Sequence, residues 1–407
     1  MSSTPMHIDS PMGNGLGGRA NGVQSQPTAM LSEMIPLFRP TKHYRRESIV
    51  PGARTTTPTS ILSLDFDDEG GLLLTSESDN SMQIYNVKEG KHHKTCLSHK
   101  YGVANAIFGH ATGCIIHSST KLNSTSPSPY SSLAKISALT RETDTIRYLS
   151  THDNSYLRYF EGHTEAVTCL SLHPGQDTFL SCSYDNTLRI WDCATKNVAG
   201  RLDLHGAYLT AWDPSGHVFA VASPTAAAIV LYDFRNFDKA PFASFDMLPH
   251  GTEMGEGMNR GWNKLEFSND GKHLLLGTAG NSHFLLDAFD GHVKASLRRD
   301  RGGVRRLGPG DHNSENMDPT SSEYLHQSTG DCCFSPDGRY VLSGTRQRNV
   351  LVWETLASST ETSKVVAPVH ELEYAGDTAL MAFNPRYNML ATADKEVVFW
   401  LPDQNLA

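Results

Sequence analysis

Hydrophobic and polar residues alternate in short runs along most of the chain, and residues 161–195 show this pattern clearly. The runs AVTCLSLHP, TFLSCSY and TLRIWDC are short, apolar or alternating, and rich in the side chains that favour β-strands. Pro174-Gly175 and Asp185-Asn186 separate these runs and are typical of turns. A fourth run, NVAGRLDL, follows. The pattern therefore predicts four short strands within about 40 residues.

The same arrangement recurs along the chain and predicts a repeat architecture. Four strands with Gly-His before the first and Trp-Asp in the third are the sequence signature of a WD40 propeller blade. Where copies follow one another without interruption, the Trp position returns at the expected period of about 40–45 residues. The seven residues at this position are Tyr85, Leu149, Trp191, Tyr232, Leu286, Trp353 and Trp400.

The repeats predict an all-β fold, a seven-bladed WD40 β-propeller over residues 31–404. Residues 1–30 are rich in Ser, Pro, Gly and Asn and are predicted to be a disordered tail. The seventh copy ends three strands into a blade, which would leave a bare sheet edge. We expect residues 34–46 to supply the missing outer strand and close the ring. Polar loop insertions are predicted near residues 122–141, 248–261 and 299–328.

The third copy places four polar side chains where they can form a buried relay of hydrogen bonds. An unpaired polar group in the core costs on the order of a few kcal/mol, so a His, a Ser, an Asp and a Trp would satisfy one another. The hydroxyl belongs to Ser181 or Ser183, of which we select Ser183. A catalytic Ser-His-Asp interpretation would need an exposed nucleophile in a pocket. We therefore predict a structural relay of His163, Ser183, Asp185 and Trp191.

Charge and composition exclude several classes of function. The 407-residue chain carries 44 acidic and 35 basic residues and a formal net charge of −9. Such a chain does not favour broad binding to nucleic-acid phosphates or membrane surfaces, so we expect no direct DNA binding and no membrane association. The seven cysteines form no CxxC pair and lie in apolar runs. This predicts buried thiols in a reducing compartment.

Motifs for catalysis or cofactor binding are lacking, so we predict no enzyme activity, no cofactor and no metal site. The sequence contains no HxxxH, HExxH or GxSxG motif and no P-loop. The GNGLGG stretch at residues 13–18 matches a dinucleotide-binding pattern, but no strand precedes it and no helix follows it. The adjacent pair His92 and His93 would point apart on a strand or loop.

Two insertions carry groups that a kinase or a partner could use. The segment Ser126-Pro127-Ser128-Pro129 is a candidate for phosphorylation, with a flexible loop as the alternative. An arginine-rich segment could bind phosphate or carboxylate groups, with a solvated loop as the alternative. Its members are Arg298, Arg299, Arg301, Arg305 and Arg306.

Several copies contain sequence stretches that the general WD40 repeat pattern does not require. These stretches are YGVANAIF, DTIRYLSTHDNSYLRYFEGH, LYDFRNFDKAPFASF, LLDAFDG and FNPRYNMLATADKEVVFWLP. They resemble the WD40 subunit shared by the COMPASS histone H3 lysine-4 methyltransferase complex and, in fungi, the cleavage and polyadenylation factor. The resemblance runs from about residue 31 to 404, whereas the tail and insertions depart from it.

The resemblance implies a non-catalytic scaffold in the nucleus. Its expected partners are the histone lysine methyltransferase catalytic subunit, other COMPASS subunits and subunits of the cleavage and polyadenylation factor, with a link to RNA polymerase II. Roles in mRNA 3′-end processing and transcription termination are also implied. The subfamily stretch supplies the candidate partner-binding residues Tyr232, Asp233, Phe234, Arg235, Phe237, Asp238 and Lys239.

The same stretch leaves a second function open. The sequence from Tyr232 to Arg235, Tyr-Asp-Phe-Arg, fits the W/Y-D-x-R pattern of substrate receptors for cullin-RING ubiquitin ligases. An arginine after a third strand can also pair with an Asp of a neighbouring blade, which would be a structural role. The alternative function is therefore a ubiquitin-ligase substrate receptor.

Overall fold

A computed structural model describes most of the repeat region. The described residues are 30–49, 56–111, 113–120, 144–206, 208–247, 261–299, 331–345, 349–356, 364–374, 376 and 378–403. The predicted tail and the three predicted insertions lie outside them, apart from Met30, Gly261 and Arg299. The described helices are one short α-helix, α1 (Leu31–Met34), and two 3₁₀ turns, Ile35–Leu37 and Phe234–Asn236. None of the helices in the described ranges is long and apolar enough to cross a membrane.

The described strands form seven four-stranded antiparallel units, one for each predicted blade, which confirms the seven-bladed propeller. Blades one to three comprise β4 (Ile61–Phe66), β5 (Leu72–Glu77), β6 (Ser81–Asn86) and β7 (Lys91–Leu97); β8 (Ala104–Phe108), β9 (Cys114–Ser118), β10 (Asp144–Ser150) and β11 (Ser155–His163); and β12 (Val167–Leu172), β13 (Thr178–Ser183), β14 (Thr187–Asp192) and β15 (Val198–Asp203). Blades four and five comprise β16 (Leu209–Trp212), β17 (Val218–Ser223), β18 (Ala228–Asp233) and β19 (Ala243–Asp246); and β20 (Trp262–Phe267), β21 (His273–Thr278), β22 (Ser282–Asp287) and β23 (Val293–Arg298).

Blades six and seven complete the ring, and the chain adds one extra strand before the outer strand of blade six. Blade six comprises β24 (Cys332–Phe334), β25 (Tyr340–Gly344), β26 (Asn349–Glu354) and β28 (His370–Glu373). Before β28 the chain adds β27 (Val365–Val366) in parallel to the outer strand of blade five. Blade seven contains β29 (Leu380–Phe383), β30 (Leu390–Ala393) and β31 (Glu396–Pro402).

The N-terminal strand closes the ring as predicted. Strand β1 (Phe38–Arg45) pairs antiparallel with β31, from Phe38 opposite Pro402 to Arg45 opposite Glu396. A separate hairpin of β2 (Glu47–Ile49) and β3 (Thr56–Pro58) follows before blade one begins. Both ends of the repeat region are thereby held in one sheet, and blade seven has the four strands of its neighbours.

Strand position within a blade explains the hydrophobic pattern. The first strands of successive blades lie beside one another around the ring, whereas the fourth strands form the outer rim. The second strand of blade three, β13, is almost continuously buried because neighbouring blades cover both its faces. Its outer strand, β15, alternates between half-buried and exposed residues. The core therefore consists of apolar clusters between adjacent blades, such as Trp191 beside Phe160 of blade two.

The cysteines and one arginine of the predicted Arg-rich loop belong to this interior. All seven cysteines are free thiols, and all but the half-buried Cys169 are buried. Arg299 was expected either to contact a partner or to lie in a solvated loop, and both expectations are wrong for it. Its side chain is fully buried, and its guanidinium donates to the carbonyls of Thr278, Gly280 and Gly344. Arg298 is exposed at the end of β23, and the other three arginines lie outside the described residues.

Candidate partner-binding surface

The His–Asp network of blade three is a continuous chain of hydrogen bonds in the core. The indole nitrogen of Trp191 donates to the Ser181 hydroxyl at 2.8 Å, and this hydroxyl lies 2.7 Å from His163 Nε2. On the other side of the ring, His163 Nδ1 lies 2.9 Å from a carboxylate oxygen of Asp185. The side chains of His163 and Ser181 are inaccessible to solvent, so this network offers no exposed nucleophile.

Ser181 occupies the position that we assigned to Ser183. Trp191 lies opposite Phe179 in the β13–β14 ladder, so its indole reaches Ser181, two residues further along the same face. Ser183 is about 7 Å beyond that position along the strand. Its hydroxyl instead donates to the Glu165 carbonyl at 2.9 Å, at the connection into blade three.

The protonation states in this network follow from burial and hydrogen bonding. Burial lowers the pKa of His163 and outweighs the favourable effect of Asp185, so the ring is neutral, with Nδ1–H donating to the carboxylate. Burial alone would raise the pKa of Asp185. Hydrogen bonds from His163 and Thr187 outweigh it and hold the pKa of this carboxyl well below its usual range. The result is a neutral imidazole beside an ionised carboxylate.

The candidate partner-binding stretch divides into packed and exposed residues. Its aromatic side chains are structural: Tyr232 is buried and stacks on Phe219, with ring centroids 5.4 Å apart. Phe234 packs edge-on against Trp212 at 5.0 Å. Phe237 lies so close to Gly200 that a Cβ there would meet its ring at 2.4 Å. These three side chains therefore hold the segment against blades three and four.

The polar residues of the stretch lie around the 3₁₀ turn that follows β18. Asp233 accepts hydrogen bonds from the Arg235 backbone at 2.9 Å and from Asn236 Nδ2 at 2.7 Å, and it caps this turn. These bonds lower the pKa of Asp233. Arg235, Asp238 and Lys239 are exposed, and the Lys239 ammonium donates to Asn236 Oδ1 at 2.8 Å. The exposed charges are the part of the stretch that can meet a partner.

A pocket of about 250 Å³ adjoins this turn. It opens on the face that carries the turns between the first and second strands and between the third and fourth strands. Arg235 is its cationic group, and Phe234 supplies an apolar wall. The remaining lining residues are His173, Gln176, Ser215, Gly216 and His217. The pocket thus lies between blades three and four, beside the three exposed charges.

A larger pocket of about 450 Å³ lies in the central channel, and sequence reasoning missed its charged groups. Asp65 of blade one and Lys264 and Glu266 of blade five line it. The Lys264 ammonium lies 3.9 Å from carboxylate oxygens of both Glu266 and Asp331. Burial raises the pKa of Asp65 and of Glu266 to about 7. Local spacing signals only the pair Lys264 and Glu266 on β20, because Asp65 and Asp331 come from other blades.

The ring of blades and the Trp–Ser–His–Asp network define a WD40 β-propeller. A family model described as "WD domain, G-beta repeat" matches residues 154–192 and 322–354. The chain belongs to a family of WD-repeat proteins that includes WD repeat-containing protein 82 of Drosophila melanogaster. It is 35% identical to that protein over 342 residues, which cover 84% of this chain and 90% of the fly protein.

Two yeast proteins show a similar likeness. COMPASS component SWD2 of Saccharomyces cerevisiae is 34% identical over 347 residues, with 84% of this chain and 91% of the yeast protein covered. Set1 complex component swd2 of Schizosaccharomyces pombe is 30% identical over 372 residues, with coverage of 84% and 92%. These relatives confirm the resemblance to the WD40 subunit of the COMPASS complex.

Proposed function

We propose that this protein is a non-catalytic scaffold subunit of a COMPASS-type histone H3 lysine-4 methyltransferase complex in the nucleus. The observation that carries the proposal is the likeness, over 84% of the chain, to proteins named as COMPASS and Set1 complex components. The fold supports a binding role, because a closed ring of blades presents turns and grooves on which extended peptides dock. Its partners in this role are the methyltransferase catalytic subunit and the other COMPASS subunits.

We propose that the protein also serves in mRNA cleavage and polyadenylation and in transcription termination. Support comes from the wording of residues 231–245 and 383–402, which resembles the subunit that fungi share between the two machineries. In this proposal the protein binds subunits of the cleavage and polyadenylation factor and links both activities to RNA polymerase II.

The exposed part of the candidate stretch is the proposed docking surface for the methyltransferase. Arg235, Asp238 and Lys239 project from a turn whose conformation is fixed by the Asp233 cap and by the packed rings beneath it. A rigid turn presents its charges with little loss of conformational entropy on binding. The adjoining 250 Å³ pocket can accept one side chain of the partner.

Affinity capture of the tagged protein from nuclear extract, followed by mass spectrometry, tests this function. We expect methyltransferase subunits and polyadenylation factors among the captured proteins. Depletion of the protein is expected to lower lysine-4 trimethylation of histone H3. The variant Arg235→Ala/Asp238→Ala/Lys239→Ala should lose the methyltransferase, whereas the charge-matched control Arg201→Ala/Asp203→Ala/Lys272→Ala should retain it. Recovery of no methyltransferase subunit with the wild-type protein would overturn the proposal.

A receptor for a cullin-RING ubiquitin ligase is the second candidate. The observation in its favour is that Arg235 is exposed directly after the third strand of blade four. This is the arginine of the W/Y-D-x-R pattern. Capture of a ligase adaptor without methyltransferase subunits, abolished by Arg235→Ala, would favour this function over the scaffold.

A further inference from the structure

The outer strands of blades seven and one carry an excess of positive charge in an otherwise acidic protein. Strand β1 has the sequence FRPTKHYR and β7 has KHHKTCL, and neither contains an acidic residue. Strand β15 has one Arg and one Asp, β19 has a single Asp, and β28 has two Glu and no Lys or Arg. Strand β23 of blade five also has one Lys and one Arg and no acidic residue, but Lys294 lies 2.7 Å from Asp287, and β27 pairs with the outer edge of this strand. Blades seven and one are therefore neighbours whose outer strands are both basic and both unpaired on one edge within the described residues.

Contacts between the two strands make this one continuous surface. The ring of Tyr44 on β1 packs against Tyr85 of blade one, with centroids 4.8 Å apart. Tyr85 in turn meets His92 of β7 edge-on at 5.5 Å. The Lys42 side chain lies over the turn before β7, where a Cβ on Gly90 would meet its methylene carbons at 3.6–3.7 Å. The Tyr85 ring is buried and the Tyr44 ring is half-buried, whereas His92 and the cations are exposed.

We define the basic rim as the exposed residues Lys42, His43, Arg45, Lys91 and His93. Within the described ranges, neither Lys42 nor Arg45 forms an ion pair. Lys91 lies 3.9 Å from Glu89, and both side chains are largely exposed. Surface pairs of this kind contribute about 0–1 kcal/mol, so most of the charge of the rim is available to a ligand.

The backbone adds a second binding element to the rim. In the described part of the chain, β1 pairs only with β31, and β7 pairs only with β6. Each strand therefore presents one unpaired edge of N–H and C=O groups, and an extended peptide can add to such an edge. Lysines on edge strands also guard against aggregation. That role does not explain the contacts that join the two strands into one surface.

We propose that the basic rim binds a segment rich in aspartate and glutamate on a partner protein. Complementary charge selects the acidic ligand, and the two strand edges select an extended backbone. Nucleic acid fits less well, because the strand edges offer N–H and C=O groups that pair with a peptide backbone, and because the protein as a whole has a net charge of −9. The inference does not depend on which complex the protein joins.

Fluorescence anisotropy with the full-length protein tests the proposal. The probe is a labelled peptide of alternating Glu and Ala of about ten residues, which spans about 33 Å when extended. The comparison ligands are a Gln/Ala peptide and an oligouridine of similar length. We expect the Glu/Ala peptide to bind most tightly and its affinity to fall as salt rises from ~50 to ~200 mM.

Two triple variants with equal charge changes localise the site. Lys42→Glu/Arg45→Glu/Lys91→Glu should weaken peptide binding about tenfold or more, whereas Lys196→Glu/Arg201→Glu/Lys272→Glu should change it less than about twofold. Lys42→Gln/Arg45→Gln/Lys91→Gln provides the same test with neutral residues if charge reversal perturbs folding. Peptide-dependent protection of residues 38–45 and 91–97 from hydrogen exchange would support the same location.

Three results would overturn the proposal. Equal losses in the rim and control variants would mean that net charge alone attracts the peptide. Tighter binding of oligouridine with the same dependence on the rim would mean that the surface binds nucleic acid. Absence of peptide binding by the wild-type protein at ~50 mM salt would mean that the cations serve only to protect the edges.

Discussion

In blade three the chain enters from the preceding outer strand through His163, whereas at blade one the corresponding position after an outer strand is held by Arg46, between β1 and the β2–β3 hairpin. His163 joins the turn carboxylate Asp185 to the core hydroxyl and indole. Arg46 donates to Glu77 at 2.7 Å and to the Ser81 hydroxyl at 2.9 Å, and it lies 3.6 Å from Asp79. In both blades, these hydrogen bonds attach the turn between the second and third strands to the chain segment that follows the preceding outer strand. Blade three uses the neutral imidazole of His163 for this purpose, whereas blade one uses a charged guanidinium.

The two networks respond to pH in opposite directions. Because burial lowers the pKa of His163, the unfolded chain binds more protons below pH ~6.5. The contribution of this residue is therefore present above that pH and is lost as the pH falls. Burial raises the pKa of Glu77 from 4.5 to about 7 despite the nearby Arg46. Its contribution is complete below pH 4.5 and is lost as the pH rises through 7.

The largest expected difference in stability is between variants of the two turn aspartates, Asp185 and Asp79. Asp185→Ala removes the acceptor for His163 Nδ1–H and for the Thr187 hydroxyl, and both of these donors belong to buried residues. We expect a loss of about 3 kcal/mol in the free energy of unfolding. Asp79→Ala should cost about 1 kcal/mol, because Arg46 keeps Glu77 as its closer partner. Urea unfolding at pH 7.5 measures both.

An Asp185→Asn variant is the control for this comparison, since it keeps the size of the side chain and one acceptor oxygen. It should lie between the wild type and Asp185→Ala. If Asp79→Ala lowered the free energy of unfolding as much as Asp185→Ala, the inference that the His163–Asp185 network stabilises its blade more than the Arg46 network would be wrong.

Arg46→Met is expected to lower the stability of the protein by a smaller amount that depends on pH. The substitution removes the cation that lowers the pKa of Glu77, a side chain that is only 2% exposed. Glu77 is protonated at pH 5 and largely ionised at pH 8 in the presence of Arg46, so the loss should rise from about 1 kcal/mol at pH 5 to about 2 kcal/mol at pH 8. Thermal unfolding at the two pH values measures it.

Arg45→Met is the matched control, because this neighbouring arginine is exposed on β1. Its effect should be small and independent of pH. An Arg46→Met loss that is larger at pH 5 than at pH 8 would contradict the assignment of a raised pKa to Glu77.

The ring itself was predictable because its signal is a repeated local pattern. The period of the third-strand position and the incomplete last copy were sufficient to predict seven blades and closure by the N-terminal strand. Strand alternation could not separate Ser181 from Ser183, since both point to the same face. The choice depends on the register of β13 against β14, which places Phe179 opposite Trp191.

Contacts between distant segments were not predictable from spacing. Arg46 lies 31 residues from Glu77 in sequence, and Asp65 reaches the channel cluster of blade five only because the ring is closed. The packing of the subfamily stretch was also not predictable from its sequence. The rings of Tyr232, Phe234 and Phe237 pack against blades three and four, whereas Arg235, Asp238 and Lys239 are exposed.

The smallest expected difference in stability is between the third-strand tryptophans of blades three and six. Ser343 corresponds to Ser181, because Val341 lies opposite Trp353 as Phe179 lies opposite Trp191. The Ser343 hydroxyl instead lies 2.7 Å from His283 of blade five. Thr278 N–H donates to the other ring nitrogen of this His, so Nε2–H is the donor to Ser343. Within the described ranges, the buried indole nitrogen of Trp353 has no hydrogen-bond partner.

Trp191→Phe should therefore destabilise the protein more than Trp353→Phe does. Both substitutions lose similar packing in a fully buried site, but only the first also breaks a hydrogen bond, which is worth about 1 kcal/mol. A double variant, Ser181→Ala/Trp191→Phe, should cost more than Trp191→Phe alone, because loss of the Ser181 hydroxyl also leaves the buried His163 Nε2 without its donor. Urea unfolding of the variants measures the difference. Equal losses for the two tryptophans would show that the indole bond in blade three adds nothing to the stability of that blade.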